Sequence, residues 1–150
     1  MDILKLSKYG LFFLLISCFS EVDKEKCNTY INEGNAVKVS FIKFKNLEVD
    51  SIKCFVQKKS VQKMNISLGG GNKTNAVFFI HEQILLTDTI QIEYKEQKYQ
   101  IYNFQNHIIK AIYKDTRQKE DYCELNSYRI NYNYKEGVQG GVIINGSKNY

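Results

Sequence analysis

The two histidines, His81 and His107, are the side chains of this chain best suited to acid–base or metal chemistry near neutral pH. They lie 26 residues apart, and neither belongs to an HExxH pattern. The chain also contains no CxxC pattern and no GxSxG nucleophile motif. We therefore expect both histidines at strand-end surface positions. The sequence predicts no catalytic residue, no metal site and no cofactor, and hence a protein that is not an enzyme.

A glycine-rich segment at residues 69–74 reads Gly-Gly-Gly-Asn-Lys-Thr and is similar in composition to a phosphate-binding loop. Asn72 stands where that motif needs glycine, and the residues that follow are typical of a strand. Without a helix amino terminus the backbone donors lack the dipole that helps to hold a phosphate. We therefore interpret the segment as a flexible hairpin tip.

Basic residues are spread along the chain, and this argues against a nucleic-acid partner. The formal net charge is +5, and positive and negative side chains are interleaved. The densest basic cluster consists of Lys58, Lys59 and Lys63, which we interpret as a solvated turn. The sequence therefore predicts no nucleic-acid binding.

Three tyrosines, Tyr128, Tyr132 and Tyr134, alternate with polar residues near the carboxyl terminus. If the residues form one strand, the three rings share one face. The interpretation that we favour is that they line the core with their hydroxyls at its margin. If the tyrosines are exposed instead, they would form a binding surface that stacks on sugars or packs against a protein partner.

The first seventeen residues have the composition of a signal peptide. Lys5 and Lys8 precede an apolar run over residues 10–16, which is too short to span a membrane permanently. The sequence Leu15-Ile16-Ser17-Cys18 resembles the lipobox of bacterial lipoproteins. This resemblance implies cleavage before Cys18, lipid on its thiol and attachment to a membrane. It also implies that Phe19, in place of an aspartate, is compatible with transfer to an outer membrane.

Two alternatives to lipidation remain open at this point. Cleavage after Ser20 by an ordinary signal peptidase would release a secreted domain without lipid. A eukaryotic secreted origin is a smaller alternative, because glycosylation sequons begin at Asn65, Asn72 and Asn145. Such sequons also arise by chance in an Asn-rich chain.

The four cysteines leave an odd number in the mature domain if Cys18 carries lipid. Cys54 alternates in phase with Ile52 and Val56, so we expect it to face the core as a small apolar residue. Cys27 and Cys123 lie in polar segments at strand boundaries. The sequence therefore predicts a disulfide between Cys27 and Cys123.

The elements that position these residues are expected to be strands. Proline is absent, Tyr and Phe number 20 together, and no segment has a convincing helical period. Alternation predicts strands from residue 37 with a bulge near Phe41, a strand over residues 76–80 buried on both faces, and a hairpin over residues 89–104 with Glu96 and Gln97 at its tip. Further strands are expected over residues 52–56, 64–68, 108–113, 128–134 and 142–144.

These elements predict an all-β fold, a single β-sandwich of about eight strands. It resembles immunoglobulin-like or prealbumin-like sandwiches in strand count alone. The expected organisation is a signal peptide over residues 1–17, a lipidated cysteine and tether over residues 18–35, and the sandwich over residues 36–150.

This organisation predicts a non-catalytic lipoprotein of the bacterial envelope that is anchored to a membrane, with the outer membrane as the favoured location. It would act as a binding or accessory module through protein or glycan contacts. The alternatives are an envelope enzyme with dispersed active-site residues or the secreted domain without lipid.

Overall fold

The computed structural model describes residues 22–57, 61–63, 66–112, 119–138 and 141–148. These residues form one short α-helix, α1 (Lys24–Thr29), two 3-10 helices (Ile31–Gly34 and Val49–Ser51) and ten strands rather than about eight. The strands are β1 (Val37–Ile42), β2 (Ile52–Gln57), β3 (Val61–Lys63), β4 (Ile66–Gly71), β5 (Ala76–Ile80), β6 (Thr89–Tyr94), β7 (Gln97–Ile112), β8 (Lys119–Ile130), β9 (Asn133–Glu136) and β10 (Gly141–Asn145).

The strands form two sheets, and the predicted all-β sandwich is confirmed. A four-stranded sheet has the order β10-β1-β5-β4, and a six-stranded sheet has the order β3-β2-β6-β7-β8-β9. Neighbouring strands are antiparallel except β1 and β10, which run parallel. Because β1 and β10 run in the same direction, the loops that follow them emerge at the same end of the sandwich.

The core lies between the sheets and is built by alternation with a period of two. Every second side chain of three strands is buried, as the pattern in the sequence predicts: Val37, Val39 and Phe41 of β1, Ile52, Cys54 and Val56 of β2, and Ile90, Ile92 and Tyr94 of β6. Strand β5 follows the same alternation, with Ala76, Phe78 and Ile80 buried. The predicted burial of β5 on both faces is wrong. Val77 and Phe79 are only half-buried, because they lie on the outer face of the four-stranded sheet.

The expected bulge near Phe41 is absent, since β1 pairs without interruption with both of its neighbours. The strand instead ends at Ile42, and Lys43 adopts a left-handed conformation with φ of 58°. This turn directs the ring of Phe44 into the core from a loop, where it packs 5.4 Å from the ring of Phe41. The change of phase in the sequence therefore marks a strand end and not a bulge.

The glycines at residues 69–71 belong to strand β4 and do not form the hairpin tip that was predicted. The turn follows them at residues 72–75, where the side chain of Asn72 accepts hydrogen bonds from Thr74 and Asn75. Gly69 is required by packing, because a Cβ atom there would collide with the ring of Phe79. Leu68, in the strand predicted over residues 64–68, is 54% exposed on this edge strand. Residues 64 and 65 lie outside the described residues.

The hairpin of β6 and β7 is present, but its predicted tip is wrong by one residue. Tyr94 pairs with Gln97 and Ile92 with Tyr99, so the two turn residues are Lys95 and Glu96. Lys95 takes a left-handed φ of 54°, which lysine adopts far less readily than glycine or asparagine.

Strands β7 and β8 form a long hairpin that extends beyond the rest of the six-stranded sheet. Two shifts in register bend it, one between Tyr102 and Gln105 and one between Gln105 and Asn106. Asn103 has a positive φ of 57° at the first shift. Beyond the bends, Ile108 pairs with Cys123 in the projecting part of the hairpin.

The segment over residues 22–35 is folded onto this hairpin, although the sequence analysis assigned it to a tether. Asp23 caps α1 by accepting a hydrogen bond from the backbone N–H of Lys26, and this bond lowers the pKa of the carboxyl below its ordinary value. Cys27 of α1 is joined to Cys123 of β8 by a disulfide, the pair that the sequence analysis proposed. Val22 packs against this disulfide. No helix among the described residues is long and apolar enough to cross a membrane.

Two asparagines fasten the same segment to the second bend of the hairpin. The amide nitrogen of Asn106 donates to the carbonyl oxygens of Cys27 and Tyr30 at 2.6 and 2.7 Å. The side-chain oxygen of Asn32 accepts from the backbone N–H of Leu125 at 2.7 Å, where the shift in register interrupts the ladder. These bonds satisfy backbone groups that would otherwise be buried without partners.

The thiol of Cys54 is predicted to resist alkylation in the native protein. It is 3% exposed in the core, and burial raises its pKa to about 12, so at pH 8 the thiol is protonated in the folded state. Treatment with N-ethylmaleimide followed by mass spectrometry should find the peptide that contains Cys54 unlabelled. The same peptide should label fully in denaturant, and rapid labelling without denaturant would contradict this burial.

Candidate binding groove

The three tyrosines singled out in the sequence do not form one stripe. Tyr128 is fully buried in β8, Tyr132 is 89% exposed in the turn, and Tyr134 is 47% exposed in β9. The prediction of one strand over residues 128–134 is wrong, because Asn131 takes a left-handed φ of 51° and reverses the chain. The core interpretation therefore holds for Tyr128 alone. Tyr134 lies on the opposite, outer face of the sheet, paired with Arg129.

One histidine lies in the six-stranded sheet, and the other directly follows a strand of the four-stranded sheet. His107 is exposed on β7, paired across the ladder with Glu124. His81 is exposed after β5, and its Nε2 atom lies 2.7 Å from the hydroxyl of Ser67. A serine beside a histidine is the contact that a nucleophile and its base would make, but His81 has no further hydrogen bond to a described residue that would orient its ring. Among the residues that the structure describes, no three potential metal ligands form a cluster.

Two other groups of residues from the sequence analysis lie wholly or partly outside the described residues. Cys18 precedes residue 22, where the description begins. Lys58 and Lys59 fall in the gap over residues 58–60, and Lys63 is the last residue of β3.

A concave site lies at one end of the sandwich, where three loops meet. A groove of about 410 Å³ opens there between residues 43–48, the turn between β6 and β7, and the turn after β10. Its lining residues are Phe44, Lys45, Tyr94, Lys95, Glu96, Gln97 and Gly146. This volume is in the range of small-molecule sites.

The base of the groove is aromatic. The rings of Phe44 and Tyr94 meet edge to face with centroids 5.4 Å apart, and both rings are largely buried. Gly146 lies flat against Phe44, since a Cβ atom at that position would come within 2.7 Å of the ring. Its backbone N–H donates to the carbonyl oxygen of Ile42 at 2.9 Å, which joins the loop after β10 to the end of β1. A glycine is therefore needed for these two loops to approach each other.

The loops that form the walls are held in place by side chains. The hydroxyl of Tyr94 accepts from the backbone N–H of Glu48 at 3.2 Å and donates to the carbonyl oxygen of Asn46 at 3.4 Å. The ammonium of Lys95 contacts the carboxylate of Glu48 at 2.9 Å and lies 5.5 Å from the ring centre of Tyr94. The hydrogen bond to Glu48 raises the pKa of Lys95 above its ordinary value. The groove is therefore preformed.

Lysines predominate on the loops at this end. Residues 43–51, 72–75, 95–96 and 145–148 carry five lysines against three acidic residues: Lys43, Lys45, Lys73, Lys95 and Lys148 against Glu48, Asp50 and Glu96. Of these lysines only Lys95 makes an ion pair with a described residue. Lys45 lines the groove without such a pair. The site can therefore offer cationic donors to a ligand.

Sequence reasoning missed this groove, because its residues come from three segments about fifty residues apart along the chain. The one available signal was the concentration of lysines just after strand ends, at residues 43, 45 and 95. That signal predicts an electropositive edge, but it does not predict which loops meet.

The fold and the groove define a β-sandwich that carries a preformed, loop-built concave site at one end. Comparisons of the chain with protein-family models, with curated proteins and with solved structures give no match.

Proposed function

We propose that this chain is a bacterial envelope lipoprotein, anchored by lipid on Cys18, whose sandwich is a non-catalytic binding or accessory module. The observation that carries the proposal is the position of the groove relative to the amino-terminal segment. α1 packs against the projecting part of the β7–β8 hairpin, whereas the groove includes Gln97 at the other end of β7. An anchor at Cys18 and a ligand in the groove would thus occupy opposite ends of the molecule.

The distances suit such an arrangement. Cys18 precedes Val22 by four residues, and a chain of four residues spans at most about 14 Å. The anchor would therefore keep the disulfide end close to the membrane surface. Ile108, which pairs with Cys123, lies eleven positions after Gln97, which corresponds to at most about 36 Å of strand. The groove would be held away from the membrane, where partners in the envelope can reach it.

A non-catalytic role is supported by the distribution of reactive side chains. His107 lies in β7 and His81 follows the end of β5 in the other sheet, and the groove is lined by neither of them. Its polar groups are ammonium, carboxylate and amide groups, which suit recognition through hydrogen bonds and charge. Binding to a glycan or protein of the envelope accounts for these features without a chemical step.

Lipidation is tested by labelling cells with a clickable fatty acid. The wild-type protein should incorporate label and sediment with membranes, whereas Cys18→Ala should do neither, because the thiol is the proposed attachment point. Cys54→Ala is the matched control, since it removes a buried thiol of the sandwich core and should label like wild type. Equal labelling of the wild-type protein and of Cys18→Ala would end the lipoprotein proposal.

A further inference from the structure

We propose that the groove binds an acidic sugar, with the anionic group against Lys45 and the sugar ring beside Phe44 and Tyr94. This inference deepens the binding role proposed above and names the class of ligand. It is carried by three features of the described residues: the unpaired cation in the wall, the mixed aromatic and polar lining, and the rigidity of the loops.

The charge of the expected ligand is indicated by Lys45 and its surroundings. Lys45 is exposed, lines the groove and makes no ion pair or hydrogen bond with a described residue. Lys95 lies across the same groove with its charge shared with Glu48. Lys43 and Lys148 stand on the same two loops as Lys45 and Gly146, so the local field favours an anion. A carboxylate or a phosphate on the ligand would pair with Lys45 and would be favoured by the positive charge of the surrounding loops.

The sugar is indicated by the rest of the lining. A sugar ring has an apolar face and an edge of hydroxyl groups. Phe44 and Tyr94 line the base of the groove, and the small exposed part of each largely buried ring gives the apolar face of the sugar a contact. Glu96 presents a carboxylate that accepts hydrogen bonds from hydroxyls, and Gln97 presents an amide whose oxygen is already engaged by the hydroxyl of Tyr99. The amide nitrogen of Gln97 is therefore the group left to donate to a ligand.

Because the loops of the groove are rigid, a ligand can bind there through individually weak contacts. The hydroxyl of Tyr94 holds the loop over residues 43–48, and the N–H of Gly146 holds the turn after β10. A ligand that enters a preformed site does not have to order these loops on binding, and this cost is otherwise subtracted from the affinity.

The test is a titration of the mature protein in detergent micelles, followed by the amide NMR signals of the groove residues. The probes are glucuronic acid, glucose 6-phosphate, glucose and inorganic phosphate. Both acidic sugars should bind saturably and more tightly than glucose, and binding should weaken as ionic strength rises. Glucose 6-phosphate should bind more tightly than inorganic phosphate, because only the sugar uses the aromatic base.

Three variants assign the effect to the groove. Lys45→Gln should weaken binding of the acidic sugars by about five- to tenfold, because it removes a charge-assisted hydrogen bond. Glu48→Gln should tighten it, since it releases Lys95 and removes a negative charge, while the hydroxyl of Tyr94 still holds the loop through backbone groups of residues 46 and 48. Lys38→Gln is the matched control, because Lys38 is exposed near the start of β1 at the opposite end and should change nothing.

The outcomes separate this inference from the proposed anchoring. If neither acidic sugar saturates, or if Lys38→Gln weakens binding as much as Lys45→Gln, the ligand assignment is wrong. Equal affinity for inorganic phosphate and glucose 6-phosphate would overturn the sugar assignment. Each of these results can occur while fatty-acid labelling of Cys18 persists, so failure of the ligand leaves the anchor intact, and the converse also holds.

Discussion

Loss of the disulfide between Cys27 and Cys123 is expected to lower the free energy of unfolding by about 4 to 5 kcal/mol in the chain-entropy model. The bridge joins residues 96 positions apart and so restricts most of the unfolded chain. The measurement is chemical denaturation of Cys27→Ala/Cys123→Ala beside wild type. A single substitution is less useful, because it would leave one reactive thiol behind.

Reductant provides the control for this prediction. Wild type with dithiothreitol should unfold at the denaturant concentration that unfolds the double variant, and the double variant itself should be insensitive to reductant. Cys54→Ala should keep the sensitivity of wild type, since its thiol belongs to the core and not to the bridge. A double variant as stable as wild type would show that the bridge contributes little to the fold.

Replacement of Tyr128 by alanine is expected to destabilise the sandwich by about 3 to 5 kcal/mol, the usual range for removal of a buried aromatic ring. The ring is fully buried, and its hydroxyl reaches the exposed edge of β10. There it accepts from the backbone N–H of Ile143 at 2.7 Å and donates to the carbonyl oxygen of the same residue at 3.3 Å. The side chain thus joins the six-stranded sheet to the last strand of the four-stranded sheet.

Two further variants separate packing from hydrogen bonding at this position. Tyr128→Phe keeps the ring and should cost only about 0.5 to 1.5 kcal/mol, the net value of a typical hydrogen bond. Tyr132→Ala should change stability by less than about 0.5 kcal/mol, because the side chain is 89% exposed in the turn. Thermal unfolding monitored by circular dichroism ranks the three. Equal destabilisation by the alanine variants of Tyr128 and Tyr132 would contradict the placement of Tyr128.

The alternation of apolar and polar residues in the sequence predicted the fold well for strands that have one buried face and one face exposed to solvent. Val37, Val39 and Phe41 are buried on one face because their strand has one covered side, and Ile52, Cys54 and Val56 follow the same rule. The cysteine pairing followed from the same reasoning, since only Cys54 shared the phase of core residues.

The turns were harder to predict, because several of them lack the residues that most clearly indicate a turn. Lys95 and Asn131 both take left-handed conformations in tight turns. The alternation of aromatic and polar residues continues through Asn131 and conceals the reversal, so that Tyr134 falls on the face opposite to Tyr128. Glycine or the pair Asn-Gly would have revealed these turns, and neither stands there.

The groove could not be derived from local pattern, because it depends on which loops the topology gathers. Phe44 and Gly146 meet because β1 and β10 run parallel and end together, a pairing between the first and last strands. Tyr94 joins them from the other sheet. Sequence alone contains the residue types of the site but not the strand order that makes them neighbours.

The disulfide also determines how the protein would carry tension between an anchored amino terminus and a captured ligand. A pull on α1 alone would act on a short helix held to the sandwich by a few hydrogen bonds, which would break one after another. With Cys27 bonded to Cys123, the load passes covalently into β8 and runs along the β7–β8 ladder towards the groove end. The ladder is then loaded along its length, in shear, so many hydrogen bonds share the force at once. A single-molecule pull between residue 18 and the turn at Lys95 should therefore meet its main resistance in this hairpin, and reduction should convert that resistance into gradual peeling from α1.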